Sequence, residues 1–279
     1  MVDTGILMRP RISFQGERGA YSEEAIVQKF GEEVELYPRP FLREVFSLAE
    51  VGMADYAVVP LENSLEGSVG GTYDLLYSSN LKITGEIVLR VKHCIMANEG
   101  VSLEDVKEVW SHPQALSQCR GYIERQGWKP VPMYDTAGSA KMLKEQGRKD
   151  VAAIASRRAA EFYGLEILAE EVEDVPLNFT RFLILGRKEA EPTGKDKTSI
   201  IFAVSHKPGA LYNALRVFAE RKINLTKIES RPTKLKPWEY YFFVDFEGHR
   251  EEEGIREALA DLAEKVLFVK VLGSYPRSQ

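Results

Sequence analysis

One stretch divides this chain more sharply than any other. From Arg187 to Lys197 the residues read Arg-Lys-Glu-Ala-Glu-Pro-Thr-Gly-Lys-Asp-Lys, so charge, proline and glycine displace every apolar side chain but one alanine. A segment that can bury nothing is a linker, and the chain beyond it must build its own core. The 279 residues therefore split into a large N-terminal unit and a small C-terminal one, as roughly 100–200 residues per domain requires.

After the linker the apolar patterning gives strand Ser199–Val204, helix Pro208–Arg221, strand Asn224–Ser230, strand Tyr240–Phe246, helix Glu252–Lys265 and strand Leu267–Leu272. This βαββαβ order is the ferredoxin-like plan. Pro208 suits the first position of its helix, where the missing N–H costs nothing. Leu211, Leu215 and Phe218 line one face of that helix, and Ile255, Leu259 and Leu262 line one face of the next.

Before the linker, short apolar runs alternate with amphipathic segments, the pattern of parallel strands joined by crossover helices. The expected strands are Ile12–Phe14, Ala57–Val59, Val109–Trp110, Ala152–Ala155 and Phe182–Leu185. Leu42, Val45, Phe46 and Ala49 share one helical face, as do Leu116, Cys119 and Ile123. Ser22 with Glu23 and Glu24 starts a helix that Gly31 can end, while Gly127 and Gly164 stand where left-handed caps belong. One long alternating run, Ile87–His93, reads as a strand able to carry the chain between two lobes.

Composition closes off whole classes of function. With 37 basic and 42 acidic residues scattered along the chain, net charge is −5 and no basic stripe exists to hold nucleic acid. No run approaches the ~20 apolar residues that span a bilayer. Met1–Arg9 lacks the basic start, apolar stretch and cleavage site of an export leader, which gives a cytoplasmic expectation. Cys94 and Cys119 read as reduced core thiols. His93, His112, His206 and His249 show no metal-ligand spacing, so neither a metal nor a cofactor is expected.

Four polar places sit where strands run into helices or end, the positions at which α/β sheets bind ligands. Gly16-Glu17-Arg18-Gly19-Ala20-Tyr21-Ser22 can present amides and the Ser22 hydroxyl to an anion, or serve simply as a turn and cap. Pro60-Leu61-Glu62-Asn63-Ser64-Leu65-Glu66-Gly67-Ser68-Val69 is a polar loop after a strand, with Thr72 and Asp74 just beyond. Ser111-His112-Pro113-Gln114 opens a helix that carries Gln118. Its bland reading is a serine N-cap, and its chemical one includes His112 as a general acid. Asn178-Phe179-Thr180-Arg181-Phe182 enters the last strand of the large unit, where the arginine's rigid fork suits a carboxylate. Alone, these groups describe a cleft for a small anion and name no reaction.

Taken together and in order, these motifs closely resemble the prephenate dehydratase family, and the tail is similar to its ACT regulatory domain through Gly209-Ala210-Leu211 and Glu229-Ser230-Arg231-Pro232. The resemblance covers about Arg11 to Gly273. It implies an α/β catalytic unit at 11–187 with the two-lobed fold of type 2 periplasmic binding proteins. Lobe one takes about 11–89 plus 176–187 and lobe two about 90–175, followed by a linker at 188–197 and a ferredoxin-like ACT domain at 198–274.

The implied reaction removes water and carbon dioxide from prephenate to give phenylpyruvate, with no cofactor, in phenylalanine biosynthesis. By resemblance the catalytic residues are Thr180, Asn63, Ser111 and Gln118, with Thr180 hydrogen-bonding the departing hydroxyl. Glu62 is a local orienter. Ser22, Ser64, Thr72 and Arg181 join it around the substrate, with Arg181 assigned to a substrate carboxylate or, failing that, bracing the cleft against an acidic neighbour. Gly209, Ala210, Leu211, Glu229, Ser230, Arg231 and Pro232 are the implied phenylalanine site, at an interface between copies in a homodimer or homotetramer.

The chain departs from the commoner family pattern at Gln15 and Ala20, a version that also occurs in plant arogenate dehydratases, and at Tyr212, where a small aliphatic is usual. Arogenate dehydratase is thus the near alternative. A non-catalytic sensor that kept the cleft and the amino-acid-binding tail is the distant one.

Overall fold

A computed structural model describes residues 9–233 and 239–278. The expectation drawn from the leader segment up to Met8 lies outside the described residues. The chain first builds β1 (Arg11–Gln15), α1 (Tyr21–Phe30), β2 (Glu35–Arg39), α2 (Leu42–Glu50), β3 (Tyr56–Asn63), β4 (Gly67–Ser68), α3 (Gly70–Ser78) and β5 (Lys82–Arg90). It then crosses into β6 (Cys94–Ala97), β7 (Glu108–Ser111), α4 (Pro113–Gln118), α5 (Arg120–Gln126), β8 (Lys129–Pro132), α6 (Thr136–Gln146), β9 (Val151–Ala155), α7 (Arg157–Tyr163) and β10 (Glu166–Ala169). It returns as β11 (Phe179–Gly186).

These strands form two sheets, one ordered β2-β1-β3-β11-β5 with β4 on β3, the other β10-β6-β9-β7-β8. The unit is two-lobed α/β, one sheet to each lobe, with two backbone crossings between them. The sheets are mixed, not purely parallel: β1 runs with β2 and β3, but β11 enters antiparallel between β3 and β5. A strand arriving from the other lobe has no crossover helix to set its direction. β5 also stops at Arg90, short of the expected His93, because the crossing takes over its backbone partners. Val91 N donates to Asn178 O (2.8 Å) and His93 N to Glu173 Oε2 (2.9 Å).

Helix ends follow the local chemistry. Gly31, Gly127 and Gly164 close their helices, the last two in the left-handed conformation. Gly19 is forced by space as well as by its φ of +80°: a Cβ there would lie 2.6 Å from the Ala159 Cα of the opposite lobe. Cys94 and Cys119 are buried free thiols, and burial pushes the Cys94 thiol up to about 11.

The C-terminal unit is β12 (Asp196–Ala203), α8 (Ala210–Glu220), β13 (Leu225–Pro232), β14 (Tyr240–Glu247), α9 (Glu253–Lys265) and β15 (Phe268–Pro276), an antiparallel sheet ordered β13-β14-β12-β15. Pro208 is not the first helical residue. Ala210 N bonds Lys207 O in a turn, Gly209 at φ +78° is the N-cap, and the proline stands outside the helix.

One face of this sheet buries Ile200, Phe202, Val244 and Phe246 beneath α8 and α9. Its other face packs against the first lobe. Ile201, Tyr241, Phe243 and Tyr275 share a single apolar core with Val59, Leu61, Leu183 and Leu185 of the first lobe. At Gly273 a Cβ would come within 2.2 Å of Ile83 O, so β15 and β5 meet backbone to backbone. Behind a polar linker, the small unit is docked on the large one by its sheet. Among the described residues no helix is long and apolar enough to cross a membrane.

Candidate active site between the lobes

A cavity of about 510 Å³ lies between the lobes, lined from the first by Ser22, Arg39, Asn63 and Thr180 and from the second by His112 and Gln118. Asn63 and Thr180 face each other directly across β3 and β11. Strict strand alternation from Pro60, which also lines the cavity, would put Glu62 in the cleft and Asn63 outside it. A bulge prevents this. Arg181 pairs with Glu62 and Phe182 with Pro60, so Leu61 is the extra residue, and a bulge re-aims the side chains beyond it.

Asn63 then organises the centre. Its Oδ1 accepts from the backbone N–H groups of Leu65 (3.0 Å) and Glu66 (3.1 Å), which fixes which end of the amide is which. Its Nδ2 is therefore directed at Asn178 Oδ1 (2.8 Å) and Thr180 Oγ1 (3.0 Å), with Phe179 O at 3.2 Å. Thr180 Oγ1 thus accepts a bond from within the protein and keeps its own proton for the cavity. Asn178 Nδ2 donates to Gln118 Oε1 (2.9 Å), joining the lobes. Next to Gln118 Oε1, at 2.9 Å, lies Nε2 of His93, a residue only 2% exposed.

The cavity also collects helix N-termini. The N-cap of α1 is Ala20, which supplies no side-chain cap, so the first amides of α1 are open to an anion beside Ser22. Asp135 caps α6 by accepting from Gly138 N (2.8 Å), and burial holds its carboxyl above the usual range. Glu17 lines the same side, paired with Lys141 at 3.2 Å.

Several expected site residues lie elsewhere, and each is a correction. Ser111 is fully buried with its hydroxyl spent on Ile154 O (2.7 Å), and the N-cap of α4 is His112, whose Nδ1 accepts from Gln114 N. Thr72 is buried on Pro60 O (2.6 Å), and Ser64 bonds Leu177 O (3.0 Å) at the rim, braced by Phe179 N. Glu62 and Arg181 leave the opposite face of the sheet, toward the C-terminal unit.

There Arg181 donates to Glu86 Oε2 (2.7 Å), Asp245 Oδ2 (2.6 Å), Glu62 Oε1 (3.3 Å) and the Tyr275 hydroxyl (3.0 Å). It braces the domains, the second of the two roles its position in the sequence suggests. Lys197 pairs with Glu86 and Lys227 with Glu62, so three cations face three carboxylates. Burial alone would raise Glu62, yet Lys227 and Arg181 hold it below the usual carboxyl range. The arginine that does line the cavity is Arg39, which the sequence motifs do not single out, and His93, also on the lining, reads in the sequence only as the end of a strand.

Of the C-terminal motifs, Glu229 accepts from Ser68 Oγ (2.8 Å) and Arg231 reaches Gly70 O and Asp74 (both 3.4 Å). Both side chains touch the first lobe just beyond the Asn63 turn. Gly209, Ala210 and Leu211 open α8, and Ser230 and Pro232 are exposed on β13.

Comparison with known proteins agrees with this geometry. The family model described as prephenate dehydratase matches residues 12–190, and the ACT domain model matches residues 198–264. A bifunctional chorismate mutase/prephenate dehydratase of Aquifex aeolicus is 44% identical over 96% of this chain and 74% of its own length. A chloroplastic arogenate dehydratase/prephenate dehydratase of Arabidopsis thaliana is 45% identical over 96% and 73%. Among solved structures, prephenate dehydratase from Arthrobacter aurescens in complex with L-Phe superposes with a TM-score of 0.89 at 34% identity, covering 96% of this chain and 90% of that one. A protein described as GqqA, a novel type of quorum quenching acylase, superposes at 0.90 with 39% identity over 96% and 98%.

Proposed function

The chain belongs to the prephenate dehydratase family, and from that premise we propose that the cleft carries out the decarboxylative dehydration of prephenate to phenylpyruvate. One observation carries the reading: Thr180 Oγ1 accepts from Asn63 Nδ2 at 3.0 Å and so turns its own O–H toward the cavity. In the reaction the bond between the ring and its carboxylate breaks, releasing carbon dioxide. Its electrons pass through the ring as it becomes aromatic, and the ring C–O bond breaks to release hydroxide, which takes a proton to become water. Aromatisation supplies the driving force. The protein has to orient the ring and stabilise the departing oxygen, and a hydrogen bond aimed where charge develops does the second.

Threonine is a very weak acid, so its part is to orient and stabilise the leaving group rather than to give up its proton outright. Gln118 and Asn63 hold the ring from both lobes. The open amides of α1 with Ser22, and the guanidinium of Arg39, take the substrate carboxylates. The functional division follows: a catalytic unit at 11–187, a linker at 188–197 and a regulatory domain at 198–274.

Regulation by phenylalanine through the C-terminal domain is part of the same reading, supported by the L-Phe complex of the Arthrobacter relative. It implies a homodimer or homotetramer, a cytoplasmic setting and two states that bind the effector unequally. Arogenate is the second candidate substrate. The Arabidopsis relative carries both names, and the Glu17 and Asp135 carboxyls on the cleft would meet an ammonium where prephenate has a keto oxygen.

The deciding experiment incubates pure protein with prephenate and with arogenate separately and follows phenylpyruvate and phenylalanine. Product from prephenate is expected. Product from arogenate alone moves the assignment to the second reading, and none from either leaves a sensor. Thr180→Ala is expected to lower kcat by more than a hundredfold, about 2.7 kcal/mol of barrier, and a loss under about tenfold would remove Thr180 from the centre.

A further inference from the structure

The hydrogen bonds around Thr180 form one chain whose direction is set at its Asn63 end. At the first end, two backbone N–H groups fix Asn63 Oδ1 as an acceptor. It follows that Asn63 Nδ2 donates to Asn178 Oδ1, and that Asn178 Nδ2 donates to Gln118 Oε1. Gln118 Oε1 is left as an acceptor facing His93 Nε2 at 2.9 Å. An oxygen cannot meet an imidazole lone pair without repulsion, so Nε2 must carry the proton.

The far side of the ring accommodates this tautomer. Burial lowers the pKa of His93 and so favours its neutral form, leaving Nδ1 as an acceptor. Tyr21 lies 2.7 Å from Nδ1 and 3.0 Å from Lys92 O, and burial keeps its phenol protonated, so its one proton can serve either acceptor and the tautomer is set from the Gln118 side. The ring is also held edge-on to Tyr21 with centroids 5.5 Å apart, and its backbone N–H is fixed by Glu173.

We propose that His93 is a positioning residue for the dehydration: its Nε2–H locks the Gln118 amide in the one orientation that continues the donor direction through Asn178 and Asn63 to Thr180. His93 sits on the crossing between lobes, while Asn63 belongs to the first lobe and Gln118 to the second. The chain therefore closes only when the lobes meet as they do here. Remove the Nε2 donor and only a long contact from Gln118 Nε2 to Glu66 Oε1 (3.5 Å) keeps the Gln118 amide from turning over. Once turned, its NH₂ opposes that of Asn178, and the bond between the lobes is lost. This inference rests on the dehydratase reading for its kinetic consequence but not for its chemistry.

Two measurements separate the two. In the unsubstituted protein with ¹⁵N-labelled histidine, long-range proton–nitrogen correlation is expected to show His93 protonated at Nε2. The Nδ1–H tautomer overturns the proposal, whatever the protein turns over and whether or not any variant folds. Wild-type turnover of prephenate tests the dehydratase reading by itself.

Given turnover, His93→Leu is expected to lower kcat at least tenfold. His93→Gln, whose amide reaches the Nε2 position, should return it to within threefold of wild type. His93→Asn, which reaches only the Nδ1 position, should stay low. Equal losses in all three variants mean a purely structural role and overturn the proposal, as does a His93→Leu variant within twofold of wild type.

Discussion

Thr180 and Arg181 are adjacent on β11 and point to opposite sides of one sheet, the threonine into the interlobe cavity and the arginine onto Asp245 of the C-terminal domain at 2.6 Å. One strand therefore carries both the hydroxyl we propose at the centre of the reaction and the charge that anchors the C-terminal domain. A shift of β11 in either direction is felt on both faces, because packed interiors move as units.

Asn63→Asp tests the direction of the Thr180 hydrogen bond with almost no change of shape. A carboxylate oxygen cannot donate, so Thr180 should turn its proton inward onto the new carboxylate and away from substrate. We expect kcat to fall by about a hundredfold, roughly 2.7 kcal/mol, measured at saturating prephenate. A variant within threefold of wild type would show that the direction of this bond is immaterial.

Arg181→Lys should fail as a conservative change. The guanidinium serves Glu86, Asp245, Glu62 and Tyr275 at once, and a point charge on a flexible stem cannot reproduce that fork. Leaving buried carboxylates without their partner costs about 3–5 kcal/mol. In a chain of this size that is on the order of 10 °C in Tm, readable by calorimetry. An unchanged Tm would mean that the buried network contributes nothing.

Acid should loosen the same interface. Glu62 and Glu86 are each pushed up by burial and pulled further down by their cationic neighbours, so their folded pKa values lie below the unfolded ones. The stability they contribute is complete above the ordinary glutamate value of about 4.3 and is lost as pH falls through the folded values. Glu86→Gln should therefore be less stable than wild type at neutral pH, with the gap in Tm closing as pH drops below about 4. A gap independent of pH would count against the ion pairs.

Ser68→Ala removes the hydroxyl that donates to Glu229 at 2.8 Å, a contact between the first lobe and β13. Basal turnover should stay within about twofold. Sensitivity to phenylalanine should weaken by roughly two- to thirtyfold, the equivalent of about 0.5–2 kcal/mol of coupling. Unaltered inhibition would place the communication between domains elsewhere, with the Arg181 cluster as the next place to test.

The sequence by itself determined the order of elements after the linker, the polar break before β12, the glycine ends of the helices and the placing of Thr180 at the mouth of a strand. These depend on neighbours a few residues away, where backbone preference and apolar period act directly. The short strands β2, β6, β8 and β10 carry too little apolar period to show. Which face each strand residue occupies was settled only by the tertiary structure. The extra residue Leu61 in β3 sends Asn63 into the cavity and Glu62 out of it. The charged partners of Arg181 come from strands far along the chain, Glu62 and Glu86 beside it in the same sheet and Asp245 from another domain. His93 looked like the end of a strand, yet the crossing between lobes bends it out of the ladder and onto Gln118. A bulge and a crossing change where a side chain points without changing any local propensity, so that information exists only once distant strands have paired.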